Sequence, residues 1–202
     1  MQQSIGIMFT GIIEATGKIV SLKKEGSNIH FTIECAITSE LKIDQSVAHD
    51  GVCLTIVAIE GNHYTVTAID ETLKRTNLNE WKQGSIINLE RCMKADGRFD
   101  GHIVQGHVDQ TAVCESVSDE NGSWKFFFAY NDGTENITVE KGSITVNGVS
   151  LTVVNSYDGK FSVAIIPYTF EHTNFKNIKA GSIVNLEFDI VGKYVQRLLK
   201  KK

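Results

Sequence analysis

One stretch of this chain is written twice. Asp50-Gly51-Val52-Cys53-Leu54-Thr55 is matched by Asn147-Gly148-Val149-Ser150-Leu151-Thr152, with Gly51 and Gly148 standing 97 positions apart. Two further blocks keep that offset: Thr76-Asn77-Leu78 against Thr173-Asn174-Phe175, and Gly84-Ser85-Ile86-Ile87-Asn88-Leu89-Glu90 against Gly181-Ser182-Ile183-Val184-Asn185-Leu186-Glu187. A looser match sets Thr10-Gly11-Ile12 against Gln105-Gly106-His107, with a register slip that a two-residue loop difference would produce. Solenoid repeats run to roughly 20 to 50 residues, so a period this long predicts two complete small domains, 8–97 and 98–188, each with its own core.

Inside each copy the apolar residues alternate. Phe31, Ile33 and Cys35 share one face, as do Tyr64, Val66 and Ala68, and later Phe161, Val163 and Ile165, which is the period of a half-buried strand. Breakers such as Glu25-Gly26-Ser27-Asn28, Glu60-Gly61-Asn62, Asn131-Asp132-Gly133 and Asp158-Gly159 separate these runs at spacings suited to antiparallel strands. Each half therefore reads as a small closed barrel, a form that leaves no exposed sheet edge. Near the end the period changes, because Ile190, Val191, Tyr194, Val195, Leu198 and Leu199 recur every three to four residues. This predicts an amphipathic helix from about Asp189, with Asp189 as N-cap and Lys200 to Lys202 at the negative end of its dipole. The helix has no counterpart between the copies, so its apolar stripe packs either on the same helix of other subunits or on its own barrels.

Composition narrows the function classes. The 202 residues are 42% hydrophobic and 22% charged, with 20 Lys plus Arg against 24 Asp plus Glu and a net charge of -4. No basic stripe is present to neutralise phosphates, so nucleic acid is not an expected partner. No apolar run approaches the roughly 18 to 20 residues needed to span a bilayer, and the start lacks a signal-like core, so a cytoplasmic protein is expected. Cys35, Cys53, Cys92 and Cys114 are scattered, with no C-x-x-C pair, which reads as free thiols rather than a disulfide frame or zinc site.

Within a strand, Cys53 and Thr55 share a face, as do Ser150 and Thr152, so each copy carries a thiol or hydroxyl beside a second hydroxyl. Free cysteine is commonly buried and inert, which reads Cys53 as a core filler; Ser150 at the matching position weakens that reading, because a hydroxyl fills a core poorly. His102 and His107, five apart, fall on opposite faces of a strand and no further ligand accompanies them, so no metal site is expected. His107 beside Gly106 is either a ligand contact or a structural histidine. Nucleophile elbows, phosphate loops and dinucleotide fingerprints are absent from the sequence.

The residues also resemble a family. Met8-Phe9-Thr10-Gly11-Ile12-Ile13-Glu14 is similar to the start of riboflavin synthase alpha chains, which would make residues 1–7 an extension. Gly101-His102-Ile103-Val104-Gln105-Gly106-His107-Val108-Asp109 resembles the opening of that family's second barrel; the two Gly-Val-Cys/Ser-Leu-Thr runs, Ile166-Pro167 with Thr169, and Asp189 to Leu199 complete a match over 8–199. The expected fold class is all-β: two tandem duplicated six-stranded antiparallel Greek-key-like β-barrels plus a C-terminal α-helix at 189–202.

The resemblance implies a homotrimer held by that helix and two bound 6,7-dimethyl-8-ribityllumazine molecules, one passing four carbons to the other without a cofactor. It raises, besides, an association with lumazine synthase. Carried over by motif, one pocket involves Gly11, Ile12 and Ile13, then Cys53, Leu54 and Thr55, with Thr67, Ala68, Ile69, Asp70, Glu71 and Thr72. The other involves Gly106, His107 and Val108, then Ser150, Leu151 and Thr152, with Ala164, Ile165, Ile166, Pro167, Tyr168 and Thr169. Lys141 is expected to reach a ligand across the subunit boundary. His107, Ser150, Thr152 and Cys53 are the proton-transfer candidates, and Ser46 and Asp189 fall on positions tied to activity.

Asp50 departs from the family's usual Asn, and little functional change is expected, since both accept a hydrogen bond in a turn. A non-catalytic lumazine- or flavin-binding antenna of the same fold is the competing reading; polar strands kept in both halves favour catalysis. A flavin-dependent reductase barrel is disfavoured, because no dinucleotide-binding domain accompanies the repeats.

Overall fold

The computed structural model describes residues 8–133 and 136–200. The proposed extension at 1–7 and the last two lysines lie outside those residues. The first copy forms β1 (Ala15–Glu25), β2 (Asn28–Cys35), β3 (Ser46–His49), β4 (Val52–Glu60), β5 (His63–Ala68) and β6 (Ile86–Arg91). These close into a barrel in the order β1-β2-β5-β4-β3-β6, with every pairing antiparallel. The second copy repeats this with β7 (Gln110–Asp119), β8 (Trp124–Tyr130), β9 (Ser143–Val146), β10 (Val149–Tyr157), β11 (Lys160–Ile165) and β12 (Ile183–Phe188). Register shifts fall at matching places, in β1 and β7 and again in β4 and β10, where the added twist of a bulge lets a short sheet curl shut.

The alternating residues fill the two interiors. Ile19, Phe31, Ile33, Ile56, Tyr64, Val66 and Leu89 pack the first, and Phe126, Phe128, Val153, Phe161, Val163, Ile165 and Leu186 the second. Two six-residue helices follow the fifth strand of each barrel, α1 (Asp70–Arg75) and α2 (Pro167–His172). The C-terminal helix α3 spans Ile190–Leu199, and Asp189 caps it by accepting from the Val191 N–H at 2.9 Å.

The barrels meet back to back through their β3–β4 and β9–β10 hairpins. Each hairpin turns on two positive-φ residues, Asp50-Gly51 and Asn147-Gly148, the pattern that matches strand twist in a two-residue loop. A Cβ on Gly51 would lie 2.8 Å from the Gly148 nitrogen, and one on Gly148 would lie 2.7 Å from the Gly51 nitrogen. Around this contact the bonds are reciprocal. Asn88 donates through its backbone to Asp50 Oδ1 and through Nδ2 to the Asn147 carbonyl, while Asn185 donates to Asn147 Oδ1 and to the Asp50 carbonyl. Asn77 and Asn174 each donate a backbone N–H across the joint, to Asn185 Oδ1 and Asn88 Oδ1, both at 2.7 Å.

Candidate active site

In β4, Val52, Leu54 and Ile56 enter the core, whereas Cys53, Thr55 and Val57 face outward. In β10, Ser150, Thr152 and Val154 take the same outward positions. The strand's two-residue period decides this and keeps Cys53 out of the barrel interior, though half-buried against a small cluster of Phe9, Ala48 and Val104. Antiparallel register brings Ser46 opposite Thr55 and Ser143 opposite Thr152, so each outward face carries one further hydroxyl. Ser143 escaped the sequence reading, although the repeat offset from Ser46 points to it.

Two short segments clasp the barrels. Phe9 and Val104 pair as an antiparallel bridge, N–H to carbonyl in both directions at 2.8 and 3.1 Å. Past that bridge the Gly11 carbonyl accepts from the Ser150 N–H, and the Gly106 carbonyl from the Cys53 N–H, each at 2.8 Å. The segment Gly11-Ile12-Ile13 therefore lies on the second barrel and Gly106-His107-Val108 on the first, the exchange of the expected grouping. Ile13 packs against the second core and Val108 against the first. Self-similarity aligns equivalent residues, but each segment finds its open backbone partner on the other copy.

The segments are held by two buried glutamates from the third repeated block. Glu90 Oε1 accepts from the Thr10 N–H and hydroxyl, and Oε2 from the Gly11 N–H, at 2.7 to 2.9 Å. Glu187 accepts from the Gln105 and His107 N–H groups at 2.6 and 2.9 Å. Burial raises both carboxyls, Glu90 to about 7, against the pull of those donors. Their recurrence at the end of the Gly-Ser-Ile-x-Asn-Leu-Glu block was the signal for them.

Two shallow clefts result. The first encloses about 160 Å³ among Val52, Cys53, Glu71, Thr72, Arg75, Thr76, Gly106, His107 and Val108. The second encloses about 140 Å³ among Gly11, Ile12, Ile13, Val149, Ser150, Tyr168, Thr169, His172 and Thr173. Ligand pockets commonly reach roughly 300 to 1,000 Å³, so either cleft needs another wall to enclose a bicyclic ring. Burial raises the Cys53 thiol, with the Ser46 contact opposing and Glu187 adding to the rise, so it stands protonated at neutral pH rather than as a ready nucleophile.

Several expected residues border neither cleft. Leu54, Ala68 and Ile165 are buried in the cores, Leu151 packs against the second core, and Thr67 bonds to His30 Nδ1 at 2.8 Å. Ile69 and Ile166 are exposed where α1 and α2 begin, beside exposed Asp70, Ala164 and Pro167. Thr55 and Thr152 are exposed further along the same outward faces. Lys141 is exposed in a left-handed turn, and Asp189 flanks a separate groove between α3 and residues 136–143. Among the described residues no group of three His, Cys, Asp or Glu is placed to hold a metal ion, and no helix is long and apolar enough to cross a membrane.

A duplicated barrel with outward polar strands, each clasped by a segment from the other half, is the architecture of tandem lumazine-binding proteins. The Lumazine binding domain description fits residues 10–92 and again 105–189. Riboflavin synthases of Actinobacillus pleuropneumoniae and Bacillus subtilis (strain 168) are 45% and 42% identical to this chain, each spanning 96% of it and 91% of their own length. That of Mycobacterium tuberculosis strain H37Rv is 39% identical, over 96% of this chain and 98% of its own. The chain belongs to the riboflavin synthase family. Among solved structures, LumP complexed with riboflavin matches with a TM-score of 0.82 at 24% identity, and LumP complexed with 6,7-dimethyl-8-(1'-D-ribityl) lumazine with 0.80 at 24%; each covers 90% of this chain and 99% of its own, a likeness of fold.

Proposed function

We propose that this chain converts two molecules of 6,7-dimethyl-8-ribityllumazine into riboflavin and 5-amino-6-(ribitylamino)uracil by transfer of a four-carbon unit. The observation that carries this reading is the pair of related half-sites, since a reaction between two like molecules is served by two similar clefts. Membership of the riboflavin synthase family supports the same chemistry. Holding two rings face to face in near-attack geometry is worth about 7 to 11 kcal/mol of barrier, and moving carbon between like molecules needs no redox carrier. Proton removal from the 7-methyl group and shuttling after addition fall to groups at the clefts, His107 among them, with the Ser150 hydroxyl and the protonated Cys53 thiol acting as donors.

The units 8–97 and 98–188 would each bind one ligand, with the first cleft of one subunit facing the second cleft of a neighbour. Support for a neighbour comes from α3, where Val191, Tyr194, Val195, Leu198 and Leu199 are exposed. We assign that face to a homotrimer, which would also bring Lys141 within reach of a ligand on the next subunit. Purified protein mixed with 6,7-dimethyl-8-ribityllumazine is expected to release riboflavin, followed by its absorbance. Tight binding without turnover would transfer the reading to a lumazine- or flavin-binding antenna.

A further inference from the structure

Ser150 is held from behind. Its Oγ lies 2.7 Å from His102 Nδ1, and the other ring nitrogen, Nε2, lies 3.2 Å from Thr145 Oγ1. Thr145 stands directly across from Ser150 in the β9–β10 ladder, so the imidazole bridges a cross-strand pair. The ring's own backbone is pinned: the His102 N–H donates to the Thr10 carbonyl at 3.1 Å, and a Cβ on the preceding Gly101 would lie 2.0 Å from that oxygen. Ser150 borders the second cleft, whereas His102 and Thr145 stand outside its lining.

Counting donors gives these bonds a direction. Burial lowers the His102 pKa, with Asp189 opposing, so the ring carries a single N–H at neutral pH. Thr145 is 1% exposed, and His102 Nε2 is the partner of its hydroxyl among the described residues. As an acceptor only, Thr145 would leave a buried O–H with nothing to bond; as a donor it leaves only lone pairs, the cheaper defect. Thr145 therefore donates to Nε2, Nδ1 carries the ring proton, and Nδ1–H donates to Ser150 Oγ. Ser150, already accepting from the ring, turns its own proton toward the cleft.

We propose that Thr145 and His102 are positioning residues that set Ser150 as a hydrogen-bond donor to an acceptor atom on the substrate ring, a carbonyl oxygen or an imine-type nitrogen. The inference rests on the proposed reaction at this cleft. The first copy lacks the device. Its row Cys53–Ala48–Glu90 matches Ser150–Thr145–Glu187 in register, and Ala48 and Cys53 pack with Phe9, Val104 and Cys92 in a small, largely apolar cluster. One cleft thus offers a thiol on an apolar bed and the other an oriented hydroxyl, a difference that gives two like molecules unlike surroundings.

The test combines a tautomer and a mutant cycle. In protein labelled with nitrogen-15, long-range proton–nitrogen correlation at pH 7.5 is expected to show His102 with a protonated Nδ1 and a bare Nε2. A protonated Nε2 would overturn the relay. Thr145→Val keeps the shape and removes the hydroxyl; kcat is expected to fall about tenfold with KM held within about twofold, and no further loss is expected in a Ser150→Ala background. Equal losses in both backgrounds would make Thr145 a purely structural residue and refute the proposal. Should the wild-type protein form no riboflavin, the reaction reading fails by itself, and the tautomer still decides the relay.

Discussion

Asp50 and Asn147 occupy the same turn of the two copies, yet one ionises and the other does not. Asp50 is fully enclosed, bonded to the Asn88 N–H, the Asn174 amide and the Trp81 indole; Ile178 stands at the repeat position matching Trp81. Burial outweighs these donors and raises the carboxyl to about 8 from 3.8. The folded chain therefore holds a proton that the unfolded chain has released between those values, so the stability this group contributes is full below about 4 and is lost as pH rises through about 8. Glu90, raised to about 7 from 4.5, acts in the same sense. Buried His49, lowered to about 4 from 6.5, acts in the opposite sense, but only below 6.5. Melting temperature is expected to fall between about pH 6.5 and 8.5, and to fall less in Asp50→Asn; parallel slopes would refute the assignment. At this scale the sequence showed Cys53 and Ser150 through their pairing. It could not show that His102 serves Ser150, because the two are 48 residues apart and meet only when β9, β10 and the clasp are in place.

The strands were legible from alternation and α3 from its 3.6-residue period, whereas α1 and α2, at six residues each, are too short to display a helical period. Those two helices matter, since Thr72 and Arg75 line one cleft and Tyr168, Thr169 and His172 the other. Helix α3 is tethered to its own barrel without being covered by it. A Lys193–Asp109 ion pair at 2.6 Å ties the helix down, yet Tyr194 and Leu198 each remain 67% exposed. Such a face is costly to leave in water, at about 25 cal/mol per Å² of apolar surface. A chain ending at Asp189 is expected to sediment as a monomer and to lose most activity, because each cleft would lose its second wall. A fully active truncated monomer would refute the shared-site reading.

At the scale of the whole molecule, all three repeated blocks converge on the joint between the barrels: the Asp50-Gly51 and Asn147-Gly148 turns, Asn77 with Asn174, and Asn88 with Asn185. The repeat thus marks the surface by which the copies face each other as much as it marks their interiors. Self-similarity nonetheless says which residues are equivalent and is silent about which are neighbours, so it does not show that each clasping segment lies against the other copy's barrel. The joint can be separated from ordinary turn chemistry with two substitutions. Gly26 and Gly51 both adopt positive φ, +60° and +79°, but a Cβ on Gly26 meets open space while one on Gly51 lies 2.8 Å from the Gly148 backbone. Gly26→Ala is expected to cost about 1 kcal/mol, the penalty of a left-handed L-residue alone. Gly51→Ala adds the displacement of one barrel from the other, so a loss of about 3 kcal/mol or more is expected in denaturant titration, with the barrels unfolding in separate steps. Equal losses, in one shared transition, would mean that the turns do not couple the halves and that the Asn network alone joins them.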